Sequence, residues 1–185
     1  MLSYKESLKI LKETNALLEG HFILSSGLHS KQYIQCAKLL SHPAKAELIC
    51  SSLATKIKEK FKQIDIVLSP AMGAVVVGYE IGRQLKVETI FADRVGGPLV
   101  LRRGFEIKEN SKVLIVEDVI TTGKSAIECS NIVKSSNAKL VGYACIIDRS
   151  NEENSIKDQM VSQMKFNIET FTEDNVPEDL KKINP

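Results

Sequence analysis

The sequence predicts an α/β fold with a central, mostly parallel sheet covered by helices on both faces. Two observations predict it. From about residue 43 onward, helical stretches alternate with short apolar runs, and the clearest run, Val113-Leu114-Ile115-Val116, has no polar position to turn toward water. The length of 185 residues suits one domain able to bury roughly 70% of its unfolded surface, so neither disulfides nor a structural metal is needed to hold it.

Taken in order, Tyr4, Leu8, Leu11, Asn15 and Leu18 recur at steps of three and four between charged residues, which predicts an amphipathic helix ending at Gly20. Residues 21–24 and 32–36 read as two short extended pieces around the small, polar turn Ser25-Ser26-Gly27-Leu28-His29-Ser30. Residues 43–61 are helical by composition, 64–68 form an apolar strand closed by Ser69-Pro70, and 74–85 form a helix. Residues 88–92 and 113–116 are strands, 125–135 a helix and 140–147 a strand. Residues 166–171 alternate like an edge strand, and 176–185 read as a polar tail. Between residues 93 and 110 the rhythm fails. Gly96-Gly97-Pro98 and Arg102-Arg103-Gly104 mark a long connection without its own structure, the kind that serves as a functional loop. The chain therefore divides into an N-terminal appendage of about 1–42, a core of about 43–171, the connection of about 93–110 and a tail of about 172–185, all within one domain.

Composition excludes several functions. With 25 Lys plus Arg against 23 Asp plus Glu the net charge is +2, too small to argue for a nucleic-acid partner. Cys36, Cys50, Cys129 and Cys145 are widely spaced, with no Cys-x-x-Cys pair for zinc or redox work, and read as buried free thiols of a cytoplasmic protein. Charged residues interrupt residues 1–18, so no apolar signal-peptide core stands there, and no window approaches a membrane span. His21, His29 and His42 have no spacing that suggests a metal site or a catalytic triad.

The chemistry concentrates in residues 113–125. After the apolar strand stand Glu117 and Asp118, a carboxylate pair able to accept hydrogen bonds from vicinal hydroxyls such as those of a ribose, or to help hold magnesium. Val119 and Ile120 lead to Thr121-Thr122-Gly123-Lys124-Ser125, where backbone N–H groups, hydroxyls and a helix start surround one point suited to phosphate. A Walker A loop is excluded because the glycine required five positions before Gly123 is replaced by Asp118. A dinucleotide glycine turn is also absent, since Gly73 and Gly78 are separated only by Ala and Val.

These residues resemble a known family. Residues 113–125 look like the phosphoribosyl pyrophosphate (PRPP) signature of type I phosphoribosyltransferases. Residues 20–33, with the pattern Phe-x-Leu-x-Ser-Gly and a later aromatic, resemble the hood of orotate phosphoribosyltransferases, as does Asp148-Arg149. The similarity runs from Tyr4 to about Phe171. It implies the type I phosphoribosyltransferase fold with a small N-terminal hood and a mobile lid at residues 93–110. It also implies transfer of the 5-phosphoribosyl group from PRPP to orotate, giving orotidine 5'-monophosphate and diphosphate in UMP biosynthesis. By the same resemblance, Glu117 to Ser125 and Arg94 bind PRPP, while Thr121, Arg149, Tyr33, Ile34 and Ser25 bind orotate, Ser25 standing where better-known members carry lysine. Mg2+ enters mainly with PRPP. A homodimer is implied, its lid acting across the interface.

Two departures from the family pattern stand out. The lysine-rich, histidine-containing lid is absent, so Arg102 and Arg103 are expected to replace its lysines and, with Asp118 and Arg94, to form the catalytic set. The loop Ser69-Pro70-Ala71-Met72-Gly73-Ala74, which touches diphosphate in the family, offers only backbone N–H groups and a helix start. The same chemistry on a purine is disfavoured because a purine has no carboxylate for Arg149. A PRPP-sensing regulator is disfavoured because the acid pair is intact and no basic helix-turn-helix pattern precedes the fold.

Overall fold

The computed structural model describes residues 1–24, 26–150 and 154–184. The chain opens with helix α1 (Tyr4–Glu13), started by a capping box in which Ser3 accepts from the Glu6 N–H and Glu6 answers to the Ser3 N–H. The helix ends earlier than the periodicity predicts. Asn15 adopts a left-handed φ of 53° and turns the chain, so Leu17 and Leu18 belong to strand β1 (Leu17–Ile23) instead. That strand pairs antiparallel with β2 (His29–Ile34), forming the hood hairpin.

A short helix α2 (Cys36–Leu40), hidden from the sequence by its length, leads to α3 (Pro43–Lys60), β3 (Ile66–Pro70), α4 (Val75–Leu85) and β4 (Glu88–Arg94). The connection that follows is not structureless: it carries β5 (Leu99–Leu101), antiparallel to β4. Next come β6 (Lys112–Ile120), α5 (Lys124–Ser135) and β7 (Lys139–Asp148). The edge strand expected at 166–171 lies earlier, at β8 (Met160–Lys165), parallel to β7. Its polar Gln163 masked the strand. That side chain is buried and donates to the buried Ser7 hydroxyl at 2.9 Å, so a core position reads as a surface one. Of the expected span, only β9 (Thr170–Phe171) is strand, and it joins the hood beside β2.

The main sheet runs β5-β4-β3-β6-β7-β8, parallel except at β5. Strand alternation assigns its two faces. Val67, Leu114 and Val116 pack with α3 and α4, while Ile66, Leu68, Val113 and Ile115 pack with Ala126, Cys129 and Val133 of α5. Helix α4 comes close to the sheet because Gly78 has no side chain; a Cβ there would sit 2.9 Å from Ser69 Cβ. All four cysteines are buried and free. Among the described residues no helix is long and apolar enough to cross a membrane.

The tail is more ordered than its polarity predicts. It forms α6 (Glu178–Lys181), with Val176 and Leu180 buried and Lys31 of the hood paired with Asp179 at 2.8 Å. His21 Nδ1 donates to the Ile183 carbonyl at 2.8 Å, and its Nε2 lies 2.7 Å from His29 Nδ1. The two histidines therefore link hood and tail.

Candidate active site

The acid pair lies within β6 and not in a turn after it, because β7 continues beside the strand as far as Asp148 and keeps its backbone paired. Alternation consequently sends the two carboxylates to opposite faces of the sheet. Asp118 meets the loop between β3 and α4, where Gly73 approaches so closely that a Cβ there would touch Asp118 Oδ2 at 3.5 Å. The peptide between Ala71 and Met72 in this loop is cis. Asp118 Oδ1 accepts from the Val119 N–H at 2.9 Å, and burial raises the acid above its usual range.

Glu117 takes the α5 side, and its Oε1 is buried with no hydrogen-bond partner. Burial first, and then the Asp118 charge, push Glu117 up to about 7, against a smaller opposing pull from the Ala126 N–H. An orphaned carboxylate oxygen at a strand's C-terminal end suits hydroxyl donors brought by a ligand.

The elevation of Glu117 has a consequence for stability. The folded chain holds this proton up to about pH 7, whereas a glutamate with its ordinary pKa of 4.5 has lost it well below that. The contribution is complete below about pH 4.5 and is lost as pH rises through 7, a change of roughly 3 kcal/mol. Glu117→Gln removes this dependence. Urea unfolding is expected to show the variant gaining on the wild-type protein between pH 5 and pH 8; parallel curves would contradict the assignment.

Beyond β6 the loop expected to hold phosphate leads into α5 at Lys124. Gly123, at φ 73°, caps α5 in a conformation that favours glycine, and its carbonyl accepts from the Ile127 N–H at 2.8 Å. The opening N–H groups of α5 have no carbonyl one turn earlier to bond, and the helix dipole adds to their pull on an anion. Thr122 Oγ1 lies 3.4 Å from the Lys124 nitrogen. Ile120 contributes only backbone, since its side chain is buried in the core while its carbonyl accepts from the Arg149 N–H at 2.8 Å.

That last bond sets Arg149 beside Thr121. Both line a cavity of about 710 Å³ whose other wall is the hood, including Phe22, Leu24 and Tyr33. Phe22 and Tyr33 stack with centroids 5.6 Å apart. Next to Arg149, the buried Asp148 accepts from the Ser150 N–H at 2.8 Å and its hydroxyl at 2.6 Å, which fixes the turn that presents the arginine. Burial lowers the pKa of Arg149 from its ordinary value. Three of the expected orotate contacts, Tyr33, Thr121 and Arg149, are thus brought together. Ile34, expected with them, is buried in the core on the other side of β2, and Ser25 lies outside the described residues. Phe22 and Leu24 were missed as wall residues, although they occupy the apolar positions of the hood pattern itself.

Among the described residues no ion pair joins the lid cations to the acid pair. Arg94, at the end of β4, pairs with Glu128 of α5 at 2.9 Å and donates to the Gly97 carbonyl. It lines a groove of about 630 Å³ beside Lys124. Arg103 pairs with Asp93 at 3.1 Å and lies 5.5 Å over the Phe91 ring. Arg102 is exposed, without a side-chain hydrogen bond or ion pair among the described residues. It follows β5, three strands from β6, so roughly 14 Å separates it from the acids at ordinary strand spacing.

Comparison with known proteins agrees with this geometry. A family model described as a phosphoribosyl transferase domain matches residues 37–181. A protein of Caldicellulosiruptor bescii named orotate phosphoribosyltransferase is 49% identical over 170 residues, covering 92% of this chain and 88% of its own. A protein of the same name from Caldicellulosiruptor saccharolyticus has the same identity and coverage. In shape, the crystal structure of orotate phosphoribosyltransferase from Aeropyrum pernix aligns with a TM-score of 0.75 at 22% identity, over 85% of this chain and 92% of that one. An acid pair that ends a buried strand, a phosphate loop opening a helix and a hood over the strand ends are carried here by a sequence nearly half identical to those relatives, and the chain belongs to the orotate phosphoribosyltransferase family.

Proposed function

We propose that the protein transfers the 5-phosphoribosyl group of PRPP to orotate, forming orotidine 5'-monophosphate and diphosphate. The observation that carries this reading is the shared cavity of Thr121, Arg149 and the hood, placed directly beside the phosphate loop. In the reaction the bond from the anomeric carbon to the diphosphate oxygen breaks and its electron pair leaves with diphosphate, while a ring nitrogen of orotate bonds to that carbon and gives up its proton, which the departing diphosphate can take. Asp118 and Glu117 accept the ribose hydroxyls, the α5 N-terminus holds the 5'-phosphate, and Arg149 clasps the orotate carboxylate with its two-pronged guanidinium. The hood excludes water from the developing positive centre.

Mg2+ fits the donors present. Among the described residues no three His, Cys, Asp or Glu side chains gather into a metal cage, but Mg2+ commonly uses one or two carboxylates together with substrate phosphates. Because the two acids face opposite sides of the sheet, one of them, Asp118 or Glu117 with its unpartnered Oε1, would serve it. When bound, the ion would spread the charge of the leaving diphosphate. The lid works in a homodimer, with Arg94, Arg102 and Arg103 serving the partner's site; the strand spacing between Arg102 and its own acid pair supports this arrangement. The four buried free thiols support a cytoplasmic setting.

Product analysis tests the reading. The purified protein is expected to form orotidine 5'-monophosphate and diphosphate in equal amounts, to stop when EDTA is added and to resume with excess Mg2+. Mixing the Asp118→Asn and Arg102→Ala variants is expected to raise activity well above that of either variant alone, because a mixed dimer regains one intact site. Absence of that recovery would place the lid's action within one chain.

A further inference from the structure

The phosphate loop is gripped from outside its own motif. Asn154, 33 residues after Thr121, donates through Nδ2 to the Thr121 carbonyl at 3.0 Å. Its Oδ1 accepts from the Ile156 N–H at 3.1 Å, an Asx turn that fixes which way the amide faces. The same two residues lie against Gly123: a Cβ there would come within 3.1 Å of Ile156 Cδ1 and 3.4 Å of Asn154 Nδ2.

A carbonyl oxygen repels phosphate, so a loop that binds an anion must turn its carbonyls away. In a trans peptide the C=O and the next N–H point in opposite directions within one plane. Holding the Thr121 oxygen on Asn154 therefore aims the Thr122 N–H away from Asn154. We infer that Asn154 is a positioning residue for the phosphate loop, setting the Thr121–Thr122 peptide so that its N–H faces the 5'-phosphate of PRPP. The inference rests on the proposed PRPP chemistry and adds to it a residue outside the signature.

Two substitutions separate this role from simple support of the turn. Asn154→Ala removes both bonds. Asn154→Asp keeps the shape and the oxygen that accepts from Ile156 but cannot donate to Thr121. Both are expected to raise the KM for PRPP and the dissociation constant of ribose 5-phosphate by about fivefold to tenfold, as loss of one well-placed hydrogen bond predicts. Asp is expected to be the worse of the two because its carboxylate would face the Thr121 carbonyl oxygen and repel it, favouring the turned-over peptide. The KM for orotate and the midpoint of urea unfolding should stay at wild-type values. Wild-type PRPP kinetics in Asn154→Asp would overturn the inference, showing that only the turn matters. An equal rise in the KM for orotate would also overturn it. Failure of the wild-type protein to bind ribose 5-phosphate or PRPP would instead defeat the functional reading, and the inference with it.

Discussion

Asp118→Asn is expected to lower kcat/KM for PRPP by about tenfold to a hundredfold, since a hydrogen bond to a charged acceptor contributes roughly 1.5–3 kcal/mol. The fold should be untouched. Burial raises the pKa of Asp118, which means that its ionised form sits in an unfavourable environment. A neutral amide of the same shape relieves that cost and can still accept from the Val119 N–H. The predicted signature is therefore a damaged enzyme with an unchanged or higher unfolding midpoint, read from steady-state kinetics beside thermal denaturation. Loss of activity in step with loss of stability would reduce Asp118 to a structural role.

The second large effect falls on the other substrate. Arg149→Ala should raise the KM for orotate by about tenfold to a hundredfold through loss of a charge-assisted pair, while leaving the KM for PRPP near its wild-type value. The two are separable because the phosphate side depends on the backbone of Arg149, whose N–H bonds to the Ile120 carbonyl, and not on its side chain. Arg149→Lys should recover only part of the loss, because an ammonium cannot match a carboxylate with two parallel donors. Equal effects on both substrates would remove the assignment of Arg149 to the acceptor pocket.

The sequence was most legible where local physics and tertiary structure agree. The short apolar run at Val113 to Val116 reads as a buried strand within the alternating pattern, and Thr121 to Ser125 with Gly123 at its centre marks a turn into a helix, so the strand, loop and helix start are visible in the sequence. The hood was legible through its pattern, and Tyr33 and Arg149 do meet across one cavity. Long-range packing hid the rest. Leu17 and Leu18 continue the helical spacing of α1, and only the turn at Asn15 moves them into a strand. Gln163 reads as polar surface because its partner, Ser7, is 156 residues away. The acids read as one pair, yet the length of β6 divides them between two faces of the sheet, which gives Glu117 and Asp118 different surroundings. Arg94 and Arg103 read as free lid cations, but Glu128 and Asp93 hold them in this conformation, and no spacing rule links those residues.

The central claim is that Arg149 and the hood choose the acceptor base while the phosphate loop holds PRPP. It is tested most directly by offering the purified protein PRPP and Mg2+ with orotate, hypoxanthine, guanine, xanthine or uracil, and following base consumption by absorbance. The account predicts turnover of orotate alone. Consumption of a purine or of uracil at a comparable rate would contradict the carboxylate selection assigned to Arg149, and PRPP binding without turnover of any base would contradict catalysis itself.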